Sequence, residues 1–236
     1  MQKGQMVYEG KAKRVYECER DDAYIVEFKD DATAFNGQKK GSITKKGVYN
    51  NAISTVFFDW LKQEGIVTHY IDTLSEREML VKRVRIIPVE VVTRNVAAGT
   101  LASRLGLIEG EKLKQTVVEF YLKNDELGDP LINRSHAVAL ELATREELDH
   151  LERTALMIND ILYERLHTKG VLLVDFKLEF GVTAEGEIVL ADEISPDTCR
   201  FWDEQTNEKL DKDRFRRDLG RVEEAYQEIL HRIQNK

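Results

Sequence analysis

Several short stretches of the chain alternate apolar and polar residues, a period of two that is typical of half-buried β-strands. The clearest is VDFKLEFG, from Val174 to Gly181, which places four apolar residues on one face and three charged residues on the other. Strands are also predicted at QMVYEG, RVYECE and AYIVEFK, then at THYIDTL, EMLVKRV, PVEVVTRN and TVVEFYLK, and last at GVLLVDFKLEFG and GEIVLADEI. The first three are expected to form a small antiparallel sheet.

Three longer stretches repeat apolar residues every three or four positions, which predicts amphipathic helices. The first is followed by Gly65, and the second begins at a capping box of Thr144 and Glu147 and ends before Gly170. The apolar residues are Ala52, Val56, Phe57, Trp60 and Leu61, then Leu148, Leu151, Ala155, Ile158, Leu162 and Leu166, and near the C-terminus Phe215, Leu219, Val222, Tyr226, Leu230 and Ile233. A short helix is predicted in VAAGTLASRLG, and residues 31–47 are predicted to be a mobile loop.

The strand-rich start and the mixed remainder predict an α+β protein with two lobes. A small N-terminal lobe of antiparallel sheet is expected over residues 1–84, and a larger mixed α/β lobe over residues 85–236. The chain has 236 residues, of which 42% are apolar, and this is enough to bury a core.

Net charge and cysteine content indicate which partners and which cellular compartment to expect. The net charge of -8 argues against sequence-independent binding to nucleic acid or to an anionic membrane, because both reward a positive field. Cys18 and Cys199 stand far apart without metal-ligand spacing, which indicates free thiols and a reducing compartment. The N-terminus has no apolar signal region, and no apolar run approaches the roughly 20 residues of a membrane span. We therefore expect a cytoplasmic protein.

The predicted hairpin after VDFKLEFG carries two carboxylates that could meet. If Thr183 pairs with Ile188, then Glu179 faces Asp192, and like charges so placed are destabilising unless a cation neutralises them. Two carboxylates suit Mg²⁺, which completes its shell with water and phosphate oxygens. The alternative is a solvated sheet face on which Lys177 forms an ordinary ion pair. These residues alone favour the alternative, because a shift of one residue abolishes the pairing.

Basic residues near glycine suggest sites for a phosphate group. YEGKAKRVYE places Gly10, Lys11 and Lys13 between two strands, where glycine permits close backbone approach and the lysines supply charge; Lys82 lies on a later strand of the same lobe. The pattern is not a Walker loop, and surface lysines in a hairpin are the alternative.

A second set of basic residues lies in the larger lobe. In PVEVVTRNVAAGT, a helix beginning near Gly99 would direct backbone N–H groups and the Thr100 hydroxyl at an anion that Arg94 also contacts; a tightly packed helix start is the alternative. Arg200 is predicted in a loop after the acidic hairpin. DKDRFRRD places three arginines at a helix start, where they could bind an anion or pair with nearby aspartates: Arg214, Arg216 and Arg217, with Asp211, Asp213 and Asp218.

Five of these segments together resemble the SAICAR synthetase family of purine biosynthesis. They match in content, order and spacing over nearly the whole chain: GKAKRVYE, PVEVVTRNVAAGT, LVDFKLEFG, DEISPDTCRFWD and DKDRFRRDLG. The resemblance implies an ATP-grasp-like, two-lobe enzyme that joins L-aspartate to the carboxylate of the ribonucleotide CAIR, giving SAICAR, ADP and phosphate. It further implies ATP as co-substrate, Mg²⁺ as cofactor and a homodimer.

The resemblance also implies roles for residues that match the family motifs. Gly10, Lys11, Lys13 and Lys82 are expected to bind ATP, Glu179 and Asp192 to bind the metal, Arg94, Gly99, Thr100, Asp129, Arg200 and Arg216 to bind the phosphoribosyl substrate, and Asp175 and Lys177 to act in catalysis. Thr100 stands where the family pattern has serine, which keeps the hydroxyl and adds a methyl group. No motif identifies the residues that select aspartate.

Chemistry suggests the route of the reaction. Because a carboxylate is a poor acyl donor, we expect ATP to phosphorylate CAIR before the aspartate amine attacks, with residues 31–47 closing as a lid. A small-molecule kinase and a non-enzymatic nucleotide-binding module use similar residues and remain competing predictions.

Overall fold

The computed structural model describes residues 1–34 and 37–235 and has a mixed α+β fold, as predicted. The strands are β1 (Met6–Glu9), β2 (Lys13–Tyr16), β3 (Ala23–Phe28), β4 (Asp31–Ala34), β5 (Lys39–Ser42), β6 (Tyr70–Ser75), β7 (Glu78–Lys82), β8 (Arg85–Ile86), β9 (Val89–Val96), β10 (Lys112–Leu122), β11 (Leu131–Ile132), β12 (Val171–Val182), β13 (Ile188–Ala191) and β14 (Cys199–Asp203). The helices are α1 (Lys46–Gln63), α2 (Gly99–Leu105), α3 (Arg134–Ala139), α4 (Arg145–His167), α5 (Asp213–Arg216) and α6 (Val222–Gln234).

Two antiparallel sheets organise the chain. The first has the strand order β1-β2-β3-β7-β6, and the second has the order β11-β10-β9-β12-β13, with β8 and β14 also paired to β12. The first sheet takes its strands from residues 6–82 and the second from residues 85–203. The division into lobes at residue 84 stays a prediction. No helix within the two described ranges is long and apolar enough to cross a bilayer.

Helix α4 supports the second sheet as its sequence predicts. The Thr144 hydroxyl accepts a hydrogen bond from the Glu147 backbone N–H at 3.1 Å, and the Glu147 carboxylate accepts one from the Thr144 N–H at 2.7 Å. All six apolar residues predicted for its inner face are fully buried. The helix packs on β9, β10 and β12, and one apolar core continues from there to residues of the first sheet.

A short bridging segment, Val67–His69, joins the two sheets. Its Val67 carbonyl accepts a hydrogen bond from the Leu190 N–H at 3.1 Å, and the His69 N–H donates to the Leu190 carbonyl at 2.7 Å. On its other side, the His69 carbonyl accepts a hydrogen bond from the Lys82 N–H at 2.6 Å. The end of β7 is therefore tied to β13 through three consecutive residues.

Residues 31–47 are not the irregular loop that was predicted. Strands β4 and β5 pair in an antiparallel hairpin with Asp31 opposite Ser42, and α1 already begins at Lys46. Strand β4 is too short and its alanines too small to give a clear apolar period, although Ala32 and Ala34 are buried. Phe35 and Asn36, which are part of the predicted loop, lie outside the described residues.

The predicted C-terminal helix is two helices, α5 and α6. Asp218, Gly220 and Arg221 between them adopt left-handed backbone conformations, with φ of 55°, 68° and 51°, and such residues interrupt a right-handed helix. Leu219, which was predicted to lie on the buried face of one helix, therefore lies between the two helices and is 47% exposed.

Candidate active site

The charged side of β12 forms the floor of the candidate site. Asp175, Lys177 and Glu179 alternate with buried apolar residues, and the two carboxylates are only 3% and 4% exposed. Strand β9 runs antiparallel beside them, with Arg94 directly opposite Asp175. Because buried charges are costly unless paired, the partners of these side chains define the site.

The predicted register of the hairpin between β12 and β13 is wrong by one residue. Val182, not Thr183, pairs with Ile188, and Glu179 therefore faces Ala191. The Thr183 N–H donates a hydrogen bond to the Glu187 carbonyl at 2.9 Å. This hydrogen bond closes a turn that is shorter than the four-residue loop expected. Direct cross-strand pairing of Glu179 with Asp192 is thus excluded.

Asp192 nevertheless reaches the same cavity as Glu179. It follows the last residue of β13 and adopts a left-handed conformation with φ of 61°, which takes the chain out of the ladder. Both carboxylates line a cavity of about 470 Å³. The two residues are therefore brought together by a backbone turn rather than by strand register.

This cavity lies between the two sheets and has an apolar part and a charged part. Its apolar lining is Val7, Tyr8, Val15, Tyr24, Val26, Val81, Val84 and Ile86, and its polar lining is Lys13, His69, Lys82, Lys123, Glu179 and Asp192. An apolar slot that ends in lysines and carboxylates fits a planar base carrying a polyphosphate and a divalent cation.

Lysines neutralise the carboxylates on the floor of the site. The Lys177 ammonium donates to Glu90 at 2.6 Å and to Glu179 Oε1 at 2.7 Å, and the Lys123 ammonium donates to the same Glu179 oxygen at 2.9 Å. Burial opposes the charge on Lys177, but Glu179, Asp192 and Glu90 together raise its pKa well above the usual value. Lys177 is therefore a fixed cation in the site.

The pKa values of the neighbouring acids are also displaced. Burial raises the pKa of Glu90, and the attraction of Lys177 offsets this only in part. For Asp192 burial is outweighed by Lys13, which forms an ion pair with it, and by Lys177, so that its pKa is well below the usual range. Of these two acids, Glu90 is thus the more easily protonated.

The donor set of Glu179 and Asp192 fits a hard divalent cation. In the parts of the chain that are described, no group of three or more His, Cys, Asp or Glu is arranged to hold a metal ion. Mg²⁺ needs no such group, since it usually binds one or two protein carboxylates and takes its other ligands from water and phosphate. Lysine ammonium groups contact Oε1 of Glu179 and Oδ1 of Asp192. A bound cation would contact the same two carboxylates.

Two arginines meet over Asp175 at the other end of the floor. Arg94 donates to the Asp175 carboxylate at 2.8 Å and to Glu119 at 2.7 Å, and Arg200 donates to Asp175 at 2.9 Å and to Asp213 at 2.9 Å. Arg200 lies on β14 opposite Asp175, not in the loop that was predicted. The neighbouring aromatic residues Phe201 and Trp202 favour a strand over CRFWD. The prediction of a loop did not take this signal into account.

The start of α2 is built closely against these arginines. Gly99 has φ of 52°, and a Cβ atom there would lie 2.5 Å from the Arg200 guanidinium, so that this position requires glycine. The Thr100 hydroxyl accepts a hydrogen bond from Arg94 at 3.2 Å. Four predicted substrate residues, Arg94, Gly99, Thr100 and Arg200, therefore form one cluster.

Of the remaining predicted ATP-binding residues, Lys82 lines the cavity, whereas Gly10 and Lys11 are not among its lining residues. Lys11 pairs with Asp125 at 2.7 Å on the surface, and Lys82 lies 3.9 Å from Glu187. The Gly10 N–H donates to the Lys13 carbonyl at 2.8 Å.

Asp129 and the arginines of DKDRFRRD each have a partner within the protein. Asp129 accepts a hydrogen bond from the Asn124 N–H at 2.9 Å within a turn. Arg216 pairs with Asp213 at 2.6 Å, and its neighbours pair with other acids, Arg214 with Glu208 and Arg217 with Glu109. Pairing with acids therefore accounts for this cluster, although only Asp213 of the three aspartates considered takes part.

Several important side chains are missing from the sequence prediction. Lys123, Glu119, Asp213 and His69 each contact a predicted site residue. Lys123, Glu119 and His69 are separated from that residue by at least 25 positions and lie in no glycine-rich or paired-charge motif. Asp213 lies in DKDRFRRD, where it was considered only as a partner of the arginines of that segment. Strand pairing of β9, β10 and β12, which the sequence does not reveal, is what assembles most of them.

Known proteins resemble the chain over its whole length. A family profile described as SAICAR synthetase matches residues 6–233. A phosphoribosylaminoimidazole-succinocarboxamide synthase of Caldanaerobacter subterraneus subsp. tengcongensis is 61% identical over 234 residues, 99% of each chain. The crystal structure of the synthase of that name from Ehrlichia chaffeensis superposes with a TM-score of 0.95 at 45% identity, covering 98% of each chain. A SAICAR synthetase in complex with ADP superposes with a TM-score of 0.94 at 51% identity, covering 97% of each chain. The chain belongs to the SAICAR synthetase family.

Proposed function

We propose that the chain catalyses the reaction for which its relatives are named, the ATP-dependent joining of L-aspartate to the carboxylate of CAIR, giving SAICAR, ADP and phosphate. The observation that carries the proposal is the continuity of the site. The apolar slot, the lysine and carboxylate floor and the arginine cluster follow one another along the charged side of β12. That order matches a nucleotide base, its phosphates with a metal, and a second phosphorylated substrate.

The nucleotide would lie in the cavity between the sheets, an ATP-grasp-like arrangement of two lobes. The apolar lining accepts the base, while Lys13, Lys82 and Lys123 face the phosphates. Lys11 and the backbone at Gly10 would extend this basic surface. The bound ADP in a relative that is 51% identical supports this assignment.

Mg²⁺ would be held by Glu179 and Asp192. When bound, the cation would neutralise charge on the transferred phosphoryl group. Without the cation, the two carboxylates and the phosphates would repel one another. Their negative charge would then be neutralised only by Lys13, Lys123 and Lys177.

CAIR would place its phosphate at the arginine cluster. Arg94, Arg200, the Thr100 hydroxyl and the start of α2 direct donors to one place, and Asp175 holds both guanidiniums in position. The methyl group that Thr100 adds to the serine of the family pattern leaves the hydroxyl bonded to Arg94. Asp129 and Arg216 would lie further out along the same cleft.

The carboxylate of CAIR would then lie near Lys177. An oxygen of this carboxylate attacks the γ-phosphorus of ATP, the bond to ADP breaks, and an acyl phosphate forms. The neutral amine of aspartate attacks the acyl carbon, phosphate leaves, and the proton lost from nitrogen passes to solvent or to phosphate. Lys177 stays charged throughout because its pKa is raised, and it therefore stabilises negative charge rather than accepting a proton.

Substrate dependence distinguishes this ligase from the competing functions. ADP release should be sustained only when ATP, CAIR and aspartate are all present, because the acyl phosphate is consumed by the amine. Full turnover without aspartate would indicate a small-molecule kinase, and no turnover in any mixture would indicate a nucleotide-binding module.

A matched pair of variants ties that activity to the site. Glu179→Gln should abolish Mg²⁺-dependent turnover with little change in melting temperature, because the amide is a weak ligand for a hard cation. Glu185→Gln, in the exposed turn of the same hairpin, should behave as the wild type. Normal activity of Glu179→Gln would remove this residue from the metal site.

A further inference from the structure

We propose that His69 is a positioning residue, which holds Asp192 in its metal-binding conformation through a hydrogen bond from the imidazole to the Asp192 backbone carbonyl. The inference rests on the proposed role of Asp192 as a metal ligand. His69 itself would touch neither metal nor nucleotide phosphate through this nitrogen, because that nitrogen is occupied by the carbonyl.

The contact is short and meets Asp192 at an unusual backbone conformation. His69 Nε2 lies 3.0 Å from the Asp192 carbonyl oxygen. Asp192 has φ of 61°, which a residue with a side chain adopts only at a cost in free energy. It also stands just beyond the last ladder pair of β13, where strand pairing with β12 no longer fixes the chain. A donor from outside the hairpin therefore stabilises this conformation.

The imidazole is held rigidly enough to act as such a donor. The backbone of His69 is bonded on both sides, to Leu190 and to Lys82, within the bridging segment Val67–His69. Its ring packs edge to face on Phe58, with centroids 5.6 Å apart, and the residue is 6% exposed. Since a carbonyl oxygen can only accept, the ring must carry its proton on Nε2.

The same hydrogen bond connects the two sheets beside the proposed metal ligand Asp192. Lys82 ends β7 of the first sheet, its N–H donates to the His69 carbonyl, and the His69 ring reaches Asp192 beyond β13 of the second. Asp192 also forms an ion pair with Lys13 of the first sheet. The orientation of the proposed metal ligand is thus set by groups on both sides of the cavity.

Two substitutions separate the hydrogen bond from the packing of the ring. His69→Leu keeps an apolar side chain of similar size and removes the donor, whereas His69→Gln offers an amide N–H at nearly the same place. The Mg²⁺ concentration for half-maximal ADP release should rise about tenfold or more in His69→Leu and return toward the wild-type value in His69→Gln. Affinity for ADP measured in EDTA should change far less than the Mg²⁺ requirement in both.

The adjacent residue provides the matched control. Tyr70→Phe removes one hydrogen bond, between the hydroxyls of Tyr70 and Thr73, and should leave the Mg²⁺ requirement unchanged. A Mg²⁺ requirement in His69→Leu equal to that of the wild type would overturn the inference. In that case Asp192→Asn decides what remains: a raised Mg²⁺ requirement keeps Asp192 as a ligand, and an unchanged one rejects the proposed metal site as well.

A measurement on the unmodified protein covers the case in which His69→Leu does not fold. The ¹⁵N chemical shifts of the His69 ring should show a neutral imidazole protonated on Nε2, with slow exchange of that proton. A ring protonated on Nδ1 alone could not donate to Asp192 and would overturn the inference.

Discussion

The pKa of Asp211 is displaced by burial and by a neighbouring carboxylate. It is completely buried, and its carboxylate accepts hydrogen bonds from the backbone N–H groups of Phe201 at 2.9 Å and Asp213 at 2.7 Å. Burial, and then repulsion from the Asp213 carboxylate, raise the pKa of Asp211 to about 7. Through Asp213, which pairs with Arg200, Asp211 supports the arginine cluster.

This raised pKa predicts how stability depends on pH. Because the pKa of Asp211 is higher in the folded than in the unfolded state, its contribution to stability is complete below the unfolded pKa of about 4 and is lost as pH rises through about 7. Asp211→Asn cannot ionise. Its free energy of unfolding should therefore rise relative to the wild type between about pH 5 and about pH 8, by at most about 3 kcal/mol.

Urea unfolding over that pH range measures the difference. Asp203→Asn is the control, since the pKa of Asp203, lowered to about 2 by hydrogen bonds from Thr206 and from Arg232, lies outside the range. Its difference from the wild type should stay constant. Parallel pH profiles for Asp211→Asn and the wild type would contradict the assignment of a buried, neutral Asp211.

Among the elements, the β4–β5 hairpin lies in the segment that was predicted to close as a lid. Lys39 on β5 donates to the Phe215 carbonyl of α5 at 2.6 Å and pairs with Asp218, so that the hairpin rests on the helix that follows the arginine cluster. If it closes over substrates, amide exchange of residues 39–42 should slow when ATP and CAIR are both bound. Exchange in α4 should not change. Equal exchange of the hairpin with and without ligands would reject closure.

The elements also show which parts of the fold a sequence can predict. Helix α4 is correct in its start, its end and its buried face, because capping and period are local properties. The register of β12 with β13 depends on one hydrogen bond in the turn, and the break between α5 and α6 depends on left-handed conformations at Asp218 and Arg221 as well as at Gly220. Neither leaves a clear local signal, so both were mispredicted.

At the scale of the whole molecule, the site is assembled by contacts that are distant in sequence. Lys13 meets Asp192, Lys123 meets Glu179, and Arg94 meets Asp175, each pair separated by more than 50 positions. Five ordered motifs were enough to identify the family and most of the residues in this cluster. They could not identify Lys123 or His69, since single residues at strand ends carry no motif and become part of the site only when the two sheets meet.

The central claim is that this assembled site activates the carboxylate of CAIR as an acyl phosphate before aspartate attacks it. The most direct test uses CAIR labelled with ¹⁸O in both carboxylate oxygens, together with ATP, Mg²⁺ and aspartate, and analyses the products by mass spectrometry. The account predicts one ¹⁸O in the phosphate released and one in the new amide of SAICAR. Phosphate free of ¹⁸O, with SAICAR formed at the normal rate, would contradict it.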